Sequence, residues 1–172
     1  GGGLSAYYLS SVLLLDCMVS GNTSLGENGG GIFTFMSAFS AIHSVVSENL
    51  LWNQGGRYSS HVRPYMQVEW YGGHGAAIKE VNSRVLFTNC IIVDNVVKPS
   101  GSFISGAGRV GFQSCIIWGN VGDMEYIDAE YSAIQLESSS EYVGGNIGLD
   151  PEFINHHMGD YSLQTSSPCI DT

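Results

Sequence analysis

Positive charge is scarce in this chain. Six lysines and arginines face sixteen aspartates and glutamates in 172 residues, for a formal net charge of −10. A surface that binds nucleic acid neutralises phosphates with many cations, so this chain excludes one. No apolar run approaches the roughly 18–20 residues of a membrane helix, so no membrane span is expected. The opening glycines already sit inside a repeat, so no signal peptide is expected within the sequence. There are only four prolines, and none interrupts an apolar run. No Cys-x-x-Cys pair or Cys/His spacing suggests zinc, and the five histidines show no ligand spacing, so neither metal nor cofactor is expected.

What is abundant is glycine, 23 residues of it, together with a repeated phrase. Cys17-Met18-Val19-Ser20-Gly21-Asn22 returns as Ser44-Val45-Val46-Ser47-Glu48-Asn49. It returns again as Cys90-Ile91-Ile92-Val93-Asp94-Asn95 and Cys115-Ile116-Ile117-Trp118-Gly119-Asn120. Glu141-Tyr142-Val143-Gly144-Gly145-Asn146 reads as a worn fifth copy. The asparagines are 27, 46, 25 and 26 residues apart. A fixed period in the twenties marks a solenoid. A second signal runs ahead of the first: Gly1-Gly2-Gly3-Leu4, Gly29-Gly30-Gly31-Ile32, Gly75-Ala76-Ala77-Ile78 and Gly101-Ser102-Phe103 each open a coil, with Leu4, Ile32, Ile78 and Phe103 as equivalents.

Between the two landmarks lie strand-length apolar runs such as Val12-Leu13-Leu14-Leu15 and Val85-Leu86-Phe87, with no helical period. About 25 residues holding three short strands is the coil of a right-handed parallel β-helix. The left-handed form needs strict hexapeptides, which are absent. The expected fold is therefore all-β: a right-handed parallel β-helix solenoid of about five coils with one long inserted loop. It forms a single domain over 1–172 and opens mid-pattern, as a segment of a longer chain would. The asparagines are expected on one edge, bonding the backbone in a turn and one another up the file. Cys17, Cys90 and Cys115 share a register and are expected as reduced, buried thiols in one interior file, acting as small apolar residues.

The chain resembles the right-handed β-helix repeat proteins of the pectin-lyase-like superfamily, of the bacterial surface and secreted type. The tail carries the likeness: Cys115–Asn120, then Gly145-Asn146-Ile147-Gly148-Leu149-Asp150-Pro151-Glu152-Phe153, Gly159-Asp160-Tyr161-Ser162-Leu163-Gln164 and Ser167-Pro168-Cys169-Ile170-Asp171. The resemblance implies a scaffold on which lyases, hydrolases and adhesins are all built. The calcium-binding acids and basic residue of its pectate lyases find no match here residue by residue, nor do the clustered aspartates of its polygalacturonases. No catalytic residue is therefore assigned.

The long step between Asn49 and Asn95 holds the inserted loop, about residues 50–73. Insertions in a repeat scaffold emerge on one face and often carry binding. Trp52, Arg57, Tyr58, His61, Arg63, Trp70 and Tyr71 are its candidate substrate-binding residues. Rings there would stack on sugars, and Arg or His would bond hydroxyls or carboxylates; the plainer alternative is a packed flap. Glu48 and Asp94 share the position before the asparagine, so adjacent coils would bring their carboxylates together. Asp123, Glu125, Asp128 and Glu130 read as a solvated acidic face, and His43 as structural. The functional expectation is a non-catalytic extracellular or cell-surface domain serving as adhesive, spacer or glycan-binding segment. Its possible partners are a polysaccharide and, through the coil ends, another copy. A polysaccharide lyase or glycoside hydrolase is the first alternative, and a self-associating subunit of a filament the second.

Overall fold

The computed structural model describes residues 2–25, 29–52, 74–99, 101–106, 108, 110–125, 127–135 and 144–170. The chain is a parallel β-helix. Its first coil runs through β1 (Leu4–Tyr7), β2 (Ser11–Leu15), β3 (Met18–Ser20) and β4 (Thr23–Ser24). The second comprises β5 (Ile32–Phe35), β6 (Ala38–Ile42), β7 (Val45–Ser47) and β8 (Leu50–Trp52). The third comprises β9 (Ile78–Val81), β10 (Arg84–Thr88), β11 (Ile91–Val93) and β12 (Val96–Lys98). The fourth has β13 (Ser102–Gly106), β14 (Val110–Gln113) and β15 (Ile116–Trp118), and the fifth β16 (Asp123–Met124), β17 (Ile127–Glu130) and β18 (Ala133–Ile134). An antiparallel hairpin follows, β19 (Phe153–Asn155) and β20 (Asp160–Leu163), joined through a 3-10 turn at His156–Met158.

Equivalent strands stack coil on coil. β1-β5-β9-β13-β16 form sheet A, β2-β6-β10-β14-β17 sheet B, β3-β7-β11-β15-β18 sheet C and β4-β8-β12 a smaller sheet D. Three strands per coil were expected, and sheet D is the fourth. Its residues pair because Asn22 and Asn49 hand their carbonyls to the N–H groups of Leu50 and Val96. Leu50, Leu51 and Trp52 therefore belong to the second coil and not to the inserted loop expected over about 50–73. Coils two and three stack in unbroken register on either side of it.

Strand alternation builds the core. On sheet B, Val12, Phe39, Val85 and Val110 occupy one inward row, and Leu14, Ala41, Phe87 and Phe112 the next. Phe39 and Phe87 lie 5.7 Å apart between ring centroids, and Phe87 stacks on Phe112 at 5.2 Å and 12°. All three rings are fully buried, each contributing about 1.5–3 kcal/mol by burial. The fourth opener is offset by one residue from the sequence reading: Ile104, not Phe103, pairs with Ile78. The fourth coil is one residue shorter across the corner between sheets A and B, which shifts the landmark.

The A–B, B–C and C–D corners of most coils share one device. One residue takes a left-handed conformation and the next turns its side chain back onto the backbone. Glu48, Asp94 and the glycines 21 and 119 make that kink at the C–D corner, with φ of 55–67°. Gly suits such a φ because it lacks the Cβ that clashes there. The asparagines that follow form the expected file: the side-chain oxygens of Asn49, Asn95 and Asn120 each accept from the backbone N–H and the amide of the asparagine one coil below, at 2.9–3.1 Å.

The B–C corner carries a second file. Cys17 N–H donates to Ser44 Oγ at 3.1 Å, Ser44 N–H to Cys90 Sγ at 3.4 Å and Cys115 N–H to Ser132 Oγ at 3.0 Å. Each hydroxyl or thiol also donates to the carbonyl two residues before it. The cysteines are free, but the expectation of three buried apolar thiols needs two corrections. Cys17, on the first coil, is exposed. Cys90 and Cys115 are buried but work as hydrogen-bonding groups. The neighbouring Cys90 thiol, with burial behind it, pushes the Cys115 thiol up. Asn146 also belongs to this file and not to the asparagine one: its Oδ1 accepts from Ser132 N–H at 2.9 Å, and Ile147 bridges Ala133 in sheet C.

Candidate functional site

Of the candidate binding residues, Trp52 ends β8 beside Lys98 and is 48% exposed. Arg57, Tyr58, His61, Arg63, Trp70 and Tyr71 lie outside the described residues. Four other places on the coils gather polar or titratable side chains.

The first lies on sheet A. Phe33, Lys79 and Ser105 fall in one row across β5, β9 and β13. Lys79 is 8% exposed, and its Nζ donates to Ser105 Oγ at 3.0 Å. Ser105 in turn donates to Glu125 Oε2 at 2.8 Å, Ser102 donates to Glu125 Oε1, and His74 Nδ1 lies 3.7 Å from the same oxygen. Burial pushes the Lys79 ammonium below its ordinary value, against the pull of Glu125 and Glu80. At Glu125 burial works to raise the carboxyl, but the two serines, His74 and Lys79 outweigh it and hold it below 4.5. The arrangement links coils three, four and five by charge and hydroxyls.

A depressed carboxyl confers stability above its unfolded pKa of about 4.3 and loses it as pH falls through the folded value. The wild-type melting temperature should therefore fall below about pH 4.3 more steeply than that of Glu125→Gln. Melting scans across pH 3–6 measure this, and parallel profiles would show that the cluster adds nothing.

The second place is the outer edge of sheet C. Glu48 and Asp94 stand on adjacent coils, as the shared register requires. Tyr161, from the tail hairpin, is buried here with its hydroxyl 3.5 Å from Glu48 Oε1. Burial pushes Asp94 up, while His156 and His157 pull it down. The hairpin is seated by Phe153, Tyr161 and Leu163 against Val45, Ile91, Val93, Ile116 and Trp118.

The third is the outside of the B–C corner. Its left-handed residues, Asp16, His43, Asn89, Ser114 and Tyr131, have φ of 50–54° and expose their side chains one per coil. His43 lies 3.6 Å from Asp16 Oδ1 and 3.3 Å from the Asn89 amide nitrogen. At the upper end the file opens onto a cavity of about 580 Å³, walled by Asn89, Ser114 and Tyr131 on one side and by Pro168 and Cys169 of the tail on another.

The last is internal. Glu80 is completely buried, and its carboxylate accepts from Gly108 N–H at 2.7 Å and from Ser83 N–H.

Among the described residues no group of three or more His, Cys, Asp or Glu could hold a metal ion, and no helix is long and apolar enough to cross a membrane. No protein-family model, curated protein or solved structure matches the chain.

Sequence reasoning paired Glu48 with Asp94 but missed what covers them, since Tyr161 is 113 residues from Glu48. It read Glu125 as one of four solvated acids, and only the fold brings it to Ser102 and Ser105. The corner file had a visible signal: each of its members immediately precedes a Cys or Ser of the ladder.

Proposed function

We propose that this chain is a non-catalytic β-helix segment of an extracellular or cell-surface protein of the pectin-lyase-like type, an adhesive or spacer domain that also binds glycan. The observation that carries the reading is the exposed corner file Asp16–His43–Asn89–Ser114–Tyr131. Stacked strands repeat every 4.7–4.9 Å or so, so the file presents hydrogen-bonding side chains at even intervals along a straight line. A linear polymer with evenly spaced hydroxyls suits such a row. The net charge of −10 disfavours polyanions, so neutral polysaccharides are the expected ligands. Single sites of this kind bind weakly, at about micromolar to millimolar Kd. Affinity electrophoresis of the intact domain in gels containing neutral or acidic polysaccharides tests it. Retardation by a neutral polymer is expected; no retardation by any polymer leaves a spacer and removes the glycan reading.

A glycoside hydrolase is the second reading, and one observation favours it. Asp94, inclined by burial to keep its proton, stands beside a second carboxylate at Glu48, the pairing a general acid and its partner need. Release of reducing ends that is abolished by Asp94→Asn would establish this reading in place of the first.

A further inference from the structure

We infer that the cavity at the upper end of the corner file binds a short, neutral oligosaccharide, with Tyr131 as its stacking platform; this rests on the glycan-binding reading and gives it a location. The volume of about 580 Å³ falls within the roughly 300–1,000 Å³ of small-ligand pockets. Its walls are of two kinds. Asn89 and Ser114 supply amide and hydroxyl groups, while Ile147 and Pro168 supply apolar surface. A sugar is amphipathic in the same way, with hydroxyls at its edge and C–H groups on its faces.

Charge narrows the class. No Lys, Arg, Asp or Glu is among the described lining residues, so none of these would neutralise a uronate or a sulfate. Burial also pushes the Cys169 thiol up, with Asp150 adding to the effect, so the surroundings resist a further negative charge.

Tyr131 is 68% exposed, with φ of 50°. An exposed aromatic ring in that conformation is costly unless something holds it. Gly145 does so from one side, since a Cβ there would meet the ring at 2.7 Å. The ring is thus set against backbone at the mouth of the cavity, as a stacking surface must be. It is also the last member of a file that runs back through Ser114 and Asn89 to His43, so a longer chain seated here would continue along the corner.

Cys169 lines the same cavity and supplies a reporter. In a Cys17→Ser background, the alkylation rate of Cys169 is followed by mass spectrometry with neutral gluco-, manno- and chito-oligosaccharides and with oligogalacturonate as the acidic control. Binding is measured in parallel by calorimetry. A neutral oligosaccharide should slow Cys169 alkylation, and oligogalacturonate should not. Tyr131→Ala should weaken binding about tenfold or more, the loss expected of a stacking ring, while Tyr131→Phe should retain most of it. Both variants alter an exposed ring, and their melting curves verify folding. Calorimetric binding that leaves Cys169 alkylation and the Tyr131→Ala affinity unchanged overturns the cavity assignment but leaves the glycan-binding reading intact. If no saccharide of either class binds, both fall.

Discussion

Asn95→Leu is expected to lower the unfolding free energy by about 3 kcal/mol. Leucine keeps the volume of the side chain, so the loss isolates its polar work. Asn95 is fully buried, and its amide donates to Val46 O at 2.9 Å, Val93 O at 3.1 Å and Asn120 Oδ1 at 2.9 Å. Its oxygen accepts from both the N–H and the amide of Asn49. Substitution leaves the Asn49 N–H with no acceptor in a buried corner and strips a donor from Val46 O. Each buried group orphaned this way costs about 1–3 kcal/mol. Asn22→Leu is the control. Asn22 is only partly buried; it donates to Asn49, and no described asparagine donates to it in return. Its loss should be roughly 1 kcal/mol or less. Urea denaturation of both variants decides the matter. Equal losses would mean that the file decorates the corner without supporting it.

The asparagine file was legible because one residue type performs the same task in four successive coils, so the requirement appears as a letter. The B–C file places nearly the same demand on its members. Each must accept from the N–H one coil below, and most also donate to the carbonyl two residues back. Cysteine, serine and asparagine all meet the accepting demand, so the position spells Cys17, Ser44, Cys90, Cys115, Ser132, Asn146. No motif survives that interchange, which is why Asn146 looked like a worn copy of the other file and the thiols looked apolar. Five coils and most of their register followed from periodicity, since most inward rows are apolar; the fourth opener, off by one residue, did not. The site was less legible for a different reason. Glu48 and Asp94 are aligned by the repeat, but Tyr161, His156 and His157 reach them from a hairpin outside the repeat. The cavity is shared between corner residues and the tail turn at Pro168, and no period links the two. The corner residues themselves were hidden by their variety. A left-handed position tolerates Asp, His, Asn, Ser or Tyr when the residue after it secures the turn.

Glu80→Ala should cost about as much as Asn95→Leu, roughly 3 kcal/mol, for a related reason. Each corner file must end somewhere, and a side chain from outside the pattern ends it. At the head of the asparagine file Gln135 Oε1 does so, accepting from Gly119 N–H at 2.8 Å; the Cys/Ser file reaches Asn146, whose Oδ1 accepts from Ser132 N–H. At the A–B corner Ser83 Oγ accepts from Ser37 N–H, and the next position up offers no serine, since the chain reads Ala107-Gly108-Arg109 there. Glu80 fills the gap: one carboxylate oxygen accepts from Ser83 N–H and the other from Gly108 N–H. Truncation orphans both donors and leaves a void where a fully buried side chain stood. Glu80→Gln, which keeps the volume but aims an amide N–H at one of the two donors, should fall between wild type and alanine. A double-mutant cycle sharpens the test. Gly106 is the register partner of Glu80, and a Cβ built there meets Glu80 Oε2 at 2.6 Å. Gly106→Ala should therefore destabilise the wild type by about 1–3 kcal/mol, the usual cost of overpacking, and do less harm once Glu80 is alanine, when only the tight contacts with Gly108 O at 3.1 Å and the residue-80 Cβ at 3.2 Å remain. A coupling of about 1 kcal/mol or more between the two sites is expected for groups in contact. Strict additivity in the cycle, or a Glu80→Ala variant as stable as wild type, would show that the carboxylate is a passenger and that the A–B corner closes without it.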